Sequence, residues 1–418
     1  MRKRIAELRE LLLDTRPPRL VMLGRRGAGK SALINAIFGQ KVAEVGHVDI
    51  GTAEPRWFLY EGELGSVEVL DTRGFQEARR PGEDGPARDI VDSIVHACAQ
   101  RAADAVLFLV KAKEVRAALE ADVELLDEIC TGLDAGHGSK VPVIGVVTQC
   151  DELEPKYVRL HLPEAEDPAE LREKEAHVRQ AEDILRWRLQ EHDRLREQLV
   201  TVIGVCAYMS WRADGSHRHD ERWRIQELVR LLFSELPNEA RLEFARLSRV
   251  KSVQKELGHK LTLSVASLCA GIAATPIPVA DIIPLTGLQV MLVIGIGYVA
   301  GRTLTVKSAA EVLTALGVNV GAALALREAA RALIKFVFPG GGSPISAGVA
   351  FAGTAGIGKA AVAYFIEGAS AEEARRVYQS SRDEGLRRAP RTSSTFPSGS
   401  PSKAIPKETH AKNDRPSP

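Results

Sequence analysis

The chain has 418 residues, 45% of them hydrophobic, and a formal net charge of +1. That length suffices for roughly two to three domains with a large buried core, and the balanced charge excludes a whole-chain electrostatic demand for nucleic acid. Charge is unevenly placed all the same: from Arg387 to Pro418 seven Lys or Arg stand against Glu408 and Asp414, so the remainder is slightly acidic. The five cysteines, Cys98, Cys130, Cys150, Cys206 and Cys269, form no C-x-x-C pair and no Cys/His cluster, which points to a reducing, cytoplasmic compartment without structural zinc.

The opening stretch MRKRIAELRELLLDTR breaks its Leu run with charges and has no small-residue cleavage site, so it does not read as a secretory signal. Ile5, Leu8, Leu11 and Leu12 instead predict an amphipathic helix within residues 1–18. Leu20 to Leu23 then reads as a strand and Ala32 to Ile37 as a helix, and between them Gly24 to Ser31 spells GRRGAGKS. This is the strand, G-x-x-x-x-G-K-[ST], helix pattern of a phosphate-binding loop. Gly24 and Gly29 let the backbone curl, so that the N–H groups of Gly24, Arg25, Arg26, Gly27, Ala28, Gly29, Lys30, Ser31 and Ala32 form a concave donor array at a helix N-terminus. Lys30 adds a point charge for the β and γ phosphates, and the Ser31 hydroxyl suits a Mg²⁺ shell.

A polar stretch from Gly39 to Pro55 leads to two predicted strands, Trp57 to Tyr60 and Val67 to Leu70, joined by a turn over Glu61 to Gly65. The second runs into Asp71-Thr72-Arg73-Gly74. A D-x-x-G at a strand end places Asp71 within reach of Mg²⁺ and offers the Gly74 N–H to a γ-phosphate. Thr52 is the sole Ser or Thr between Ser31 and Ser66, which makes it the candidate for a second hydroxyl on the metal. Ala103 to Val110 predicts a buried strand, Lys113 to Thr131 a helix and Val141 to Val147 another buried strand. Strands alternating with helices imply a mostly parallel sheet with ligands at the carboxyl ends of the strands. At that end stands Thr148-Gln149-Cys150-Asp151, where the Asp151 carboxylate can accept from N1–H and the exocyclic amine of guanine, an edge adenine lacks. The last strand, Val200 to Val205, is followed by Cys206 and Ala207, whose N–H groups could meet the guanine O6.

Taken in order, GRRGAGKS, Thr52, DTRG, TQCD and VCA resemble the five nucleotide motifs of translation-factor-class GTPases, most like the Era and TrmE branch. The resemblance covers residues 19–236 and implies GTP and GDP as ligands, Mg²⁺ as cofactor on Ser31, Thr52 and Asp71, and slow GTP hydrolysis at a site including Gly74. Three departures stand out. Thr148 and Gln149 replace the usual Asn-Lys, which should weaken the contacts that brace the base. Phe75 stands where Ras-like members carry a water-orienting glutamine, and Gly27 where potassium-activated members carry asparagine. Arg26 is then the nearest catalytic cation in the chain. The competing reading turns Arg25 and Arg26 to solvent and leaves the missing group to an activating protein or a second copy.

Residues 152–198 make an oversized connection containing a charged helical run, Pro168 to Gln198, read as a solvated helix face. His217 and His219 have no further ligand at metal spacing. A linker helix is expected over residues 237–260. Composition then changes: from Leu261 to Gly301 the sole charge is Asp281, and from Phe336 to Gly358 there is none. Pro276, Pro278 and Pro284 cut the first block into two helical arms, each short against the ~20 residues a bilayer requires. Gly297 with Gly301, and Gly317 with Gly321, have the G-x-x-x-G spacing that permits close helix contact. Ala274 to Leu292, ATPIPVADIIPLTGLQVML, resembles the C-terminal part of YcjF-type inner-membrane proteins. That resemblance leaves two readings of residues 261–385 open: a soluble all-α bundle, or lipid association through residues 261–370 at the inner face of a membrane. The Pro, Ser and Lys-rich stretch 386–418 reads as a disordered basic tail.

The expected architecture is thus an α/β P-loop GTPase domain with a mostly parallel sheet flanked by helices, followed by a Gly/Ala-rich helical region. The expected function is a GTP-hydrolysing switch acting on that region. A self-assembling membrane-remodelling protein is one alternative. An RNA or ribosome-assembly factor is the other, with the near-neutral charge against it and nucleic acid not expected as a partner.

Overall fold

A computed structural model of the chain describes residues 14–43, 56–71, 86–117, 119–137, 140–274, 285–318 and 344–388. The expected N-terminal helix, Thr52, Gly74, Phe75, Asp281, Gly321 and the tail lie outside these residues, apart from residues 14–18 and 386–388 at the edges of the first and last of those stretches.

Six strands form one sheet: β1 (Arg19–Gly24), β2 (Arg56–Gly62), β3 (Gly65–Asp71), β4 (Ala105–Lys111), β5 (Val143–Thr148) and β6 (Leu199–Gly204). They lie in the order 2-3-1-4-5-6, and all pairs are parallel except β2 with β3. The central strands are apolar along their whole length because both faces are covered. Leu20 and Met22 of β1 point to one core with Leu107, Leu109, Ile144 and Val146, whereas Val21 and Leu23 point to the other with Val106, Phe108 and Val147. That alternation is the two-residue period of a strand.

On the second face pack α2 (Pro86–Gln100), α3 (Glu120–His137) and α4 (Pro168–Gln190). The first face receives α1 (Lys30–Phe38) and α6 (Ile225–Glu235), and the same core continues without a break into the C-terminal helices. A short α5 (Asp193–Gln198) precedes β6, and a hairpin of β7 (Met209–Trp211) and β8 (His217–Asp220) precedes α6. His217 and His219 lie on that exposed hairpin, and the described residues hold no cluster fit for a metal ion.

Several boundaries differ from expectation. The helix read from Lys113 begins at Glu120, because Ala112–Glu114 forms a 3₁₀ turn in which Lys111 pairs with Glu114 at 3.0 Å. The charged run read as one helix breaks after Gln190, and its inward face is not solvated: Val178, Ala181, Leu185 and Leu189 pack on the sheet. The stretch 238–260 holds two helices, α7 (Asn238–Ser248) and α8 (Lys251–Ala274), separated at Arg249, whose φ of 53° is left-handed.

Beyond α8 come α9 (Leu285–Val299), α10 (Val306–Ala315), α11 (Pro344–Val362) and α12 (Ala371–Arg388). Helix α8 approaches α11 closely at Gly358, where a Cβ would sit 2.1 Å from the Thr262 hydroxyl. Gly301 does not serve a helix contact of this kind; its φ of 79° follows the end of α9, and the turn between β2 and β3 abuts it. Lys251–Ala274 and Ala347–Glu367 are long and apolar enough to cross a membrane, and 50% and 61% of their most apolar windows are buried inside the structure.

Candidate nucleotide site

In the order 2-3-1-4-5-6, β1 is the strand from which the chain proceeds in both directions, so the crevice beyond its carboxyl end is where an α/β sheet takes a ligand. The loop Arg25 to Gly29 occupies that position. Gly24 lies so close to β4 that a Cβ would stand 2.5 Å from the Leu109 carbonyl, and Gly29 takes a φ of 91°, a conformation costly to any residue with a Cβ. Helix α1 follows with no side-chain cap and no acidic residue in its first turn. The N–H groups at a helix start need acceptors, and an anion supplies them.

Lys30 curls back over the loop, its Nζ donating to the Gly24 carbonyl at 2.8 Å. Ser31 is half-buried on the first turn of α1, and Ala32 follows it. Arg25 turns away, pairing through Nε with Asp122 Oδ2 at 2.5 Å, and Arg26 is exposed. Asp71 ends β3 in register with Met22 of β1, which sets it beside the loop. Buried Asn35 ties down the chain leaving α1: its Oδ1 accepts from Val42 and Ala43 N–H at 2.8 and 2.7 Å, and its Nδ2 donates to the Ala43 carbonyl at 2.7 Å.

The second motif group closes on the first. Thr148, buried at the end of β5, donates its hydroxyl to the Ala28 carbonyl at 2.8 Å, and Gln149 Nε2 donates to the Gly27 carbonyl at 3.0 Å. These replacements for Asn-Lys therefore brace the phosphate loop. Lys111 adds an ammonium that motif reading missed: a Cβ on Gly27 would lie 3.4 Å from its Nζ. Its position at the carboxyl end of the LFLVK strand, directly opposite Thr148, was the available signal.

Asp151 is the middle residue of a 3₁₀ turn, Cys150–Glu152, and is half-buried. Burial, and after it the nearby Asp151 charge, push the Cys206 thiol well above its ordinary range, so it stays neutral. Cys150, beneath the motif, is likewise pushed up to about 12 by burial, with the charge of Glu182 adding to it. One expectation needs correction. The Cys206 N–H was paired with a guanine oxygen, but it donates to the Trp223 carbonyl at 3.2 Å, in a bridge that Trp223 N–H reciprocates at 3.0 Å. Ala207 remains of that pair.

A glycine-formed loop at the central strand, a lysine at its end and a carboxylate beyond β5, two strands away in the sheet, define a P-loop nucleotide-binding fold. The model of the 50S ribosome-binding GTPase family matches residues 19–148, so the first part of this chain is a P-loop GTPase domain. Solved structures similar to it include a probable GTP-binding protein engB, 16% identical over 52% of this chain and 97% of that one, with a TM-score of 0.31. Others are Era in complex with MgGDPNP and 16S ribosomal RNA (16% identity, 60% of this chain and 68% of that one, TM-score 0.32) and a dimerization-deficient mutant of Toc33 from Arabidopsis thaliana (15%, 55% and 87%, TM-score 0.34). Similarities of this degree carry nothing about substrate or partner.

Proposed function

We propose that the chain is a Mg²⁺-dependent, GTP-hydrolysing switch that passes its nucleotide state to the C-terminal helices through the β2–β3 hairpin. One observation carries this. The turn of the hairpin is seated on those helices, while its two strands border the sequences bearing Thr52 and Gly74. Leu64 of the turn packs on Gly301, where a Cβ would lie 3.0 Å from its methyl groups. Glu63 pairs with Arg249 at 2.7 Å, and Gly65 lies against Glu243 and Leu247 of α7. Glu243 in turn accepts from the Tyr298 hydroxyl of α9 at 2.6 Å, with Arg246 stacked 4.0 Å from the Tyr298 ring. At the other end, β2 starts at Arg56, four residues after Thr52, and β3 ends at Asp71 of DTRG.

The metal suits the donors assigned to it. Ser31 and Thr52 hydroxyls with the Asp71 carboxylate are hard oxygen ligands of the kind Mg²⁺ takes. Bound there, it would neutralise charge between the β and γ phosphates. Asp151 accepts from the guanine edge, Ala207 N–H meets O6, and Lys30 holds the phosphates. With Phe75 unable to orient water, turnover of the isolated protein falls on the order of 10⁻⁴ to 10⁻² s⁻¹.

Amide hydrogen exchange tests the coupling. Protection in α7 and α9 should differ between GDP and a non-hydrolysable GTP analogue, and Leu64→Ala should abolish that difference while GDP still binds. Identical exchange in both nucleotide states of the unmutated protein overturns the coupling.

A second reading, association with lipid, has an observation of its own. Leu263, Met291, Val349 and Phe351, on three helices of the C-terminal region, are each at least one-third exposed. Flotation with liposomes decides it: a protein that stays in the dense fraction with either nucleotide is a soluble bundle.

A further inference from the structure

Helix α4 carries two charged side chains on the face it buries. Lys174 is 0% exposed, and its Nζ donates to three backbone carbonyls, those of Asp151 at 2.8 Å, Pro155 at 3.1 Å and Val158 at 2.7 Å. Glu182 is 7% exposed. Its Oε1 accepts from the Gly204 N–H and from Arg224 Nη1, both at 2.6 Å. Eight residues separate the two, a little over two turns, which sets them on one side of the helix.

Burying an ion is costly even when it is paired, and an apolar side chain of similar length would fill either space without that cost. What the two charges grip is therefore informative. Lys174 holds the stretch that runs from Asp151, in its 3₁₀ turn, to Val158. Glu182 holds the end of β6, three residues before Ala207, and Gly204 can approach because it lacks a Cβ, which would stand 3.2 Å from Glu182 Oε1. Arg224, bound by Glu182, follows Trp223, whose backbone pairs with Cys206. The Cys206 thiol, buried near the Asp151 charge, is held neutral. One helix face thus fixes both walls of the base pocket.

We propose that Lys174 and Glu182 are positioning residues for guanine, setting the Asp151 carboxylate and the Cys206–Ala207 backbone at the separation a guanine edge requires. This rests on the reading of the chain as a guanine-nucleotide binder. Their role is to keep Asp151 from relaxing toward a geometry that would accept one hydrogen bond instead of two.

The test compares GDP with IDP, whose base lacks the exocyclic amine and can give the carboxylate only one of the two bonds. The unmutated protein should bind GDP about tenfold more tightly than IDP, the worth of one hydrogen bond to a charged group. Lys174→Met should lower that ratio to about threefold or less by weakening GDP more than IDP, and Glu182→Gln should lower it in the same sense. Leu185→Ala is the control: Leu185 is a fully buried apolar residue on the same helix, so its truncation loosens the packing without releasing either wall. It should lower the melting temperature and keep the ratio. If Lys174→Met does not fold, Glu182→Gln decides alone. A ratio unchanged in the charge variants, or moved as far by Leu185→Ala, overturns the proposal and leaves α4 as ordinary packing. ADP binding as tight as GDP in the unmutated protein would instead overturn the guanine reading itself, and this proposal with it.

Discussion

The phosphate end of the site and its base end are built by opposite means. At the phosphate end the shape is in the backbone: Gly29 at a φ of 91°, Gly24 pressed against the Leu109 carbonyl, and a helix that opens without a cap. At the base end, Asp151 sits in a 3₁₀ turn outside any strand, held by Lys174 from a helix that begins 17 residues further along the chain. A backbone cradle is local and tolerates changes elsewhere. A pocket wall held by distant side chains can be retuned without altering the residue that touches the ligand. Thr148 and Gln149 join the two ends, since they follow β5 toward Asp151 while bonding to the carbonyls of Ala28 and Gly27.

Each end can be removed alone. Lys30→Ala should weaken GTP by about 100-fold, because it deletes charge-assisted bonds worth about 1.5–3 kcal/mol each. Its melting temperature without nucleotide should stay close to the parent's, because the backbone at Gly24 and Gly29 shapes the loop. Isothermal titration and a thermal melt on one preparation check both statements, and unchanged GTP affinity would sink the phosphate-loop assignment. Asp151→Ala should cost about 1–3 kcal/mol of discrimination between GDP and ADP, the value of a bidentate base contact, with little change in the salt dependence of binding. If the variant loses GDP and ADP equally, Asp151 supports the loop and does not read the base.

Hydrolysis separates the ends differently. Were exposed Arg26 to lean over the γ-phosphate in the transition state, Arg26→Ala would slow single-turnover hydrolysis about tenfold, or about 1.4 kcal/mol, with GTP affinity nearly unchanged. A variant hydrolysing at the parental rate excludes the cation in cis, and a parental rate that rises with protein concentration assigns it to a second copy. The smallest effect belongs to the join. Gln149→Ala removes one exposed hydrogen bond to the Gly27 carbonyl, so GDP affinity should fall only about two- to fivefold, the lower part of the ~0.5–1.5 kcal/mol range of a neutral bond. A larger loss would mean that the two ends are more tightly coupled than these bonds indicate.

Much of the phosphate end could be read from sequence for the reason just given: its chemistry is local, and eight consecutive residues carry it. The central strands were equally legible, being apolar on both faces. Helix α2 was missed although Ile90, Ile94 and Cys98 recur at helical spacing, because the run is short and small residues dilute its stripe. The clamp at the base end could not be read as charge pattern alone, since an inward lysine and an outward one look alike in a run such as PAELREKEAHVRQAEDILRWRLQ. Yet a signal was there. Leu171, Val178, Ala181, Leu185 and Leu189 make an apolar stripe, and Lys174 and Glu182 fall within it where further apolar residues would be expected. What spacing cannot supply is the partner: three carbonyls of a loop and one N–H of a strand, none of which has a side-chain identity to recognise.

The β2–β3 hairpin has one more consequence, a mechanical one. Each strand has seven residues, paired from Arg56 with Asp71 at one end to Gly62 with Gly65 at the other. At 3.3–3.4 Å per residue the ribbon is about 20 Å long, and a tilt of about 10° at its Asp71 end would swing the turn by about 3.5 Å. That displacement is about the depth of one methyl contact. Under the proposed coupling the ribbon would act as a lever whose throw matches the seat of Leu64 on Gly301: long enough to lift the side chain clear of its socket, and short enough to return it.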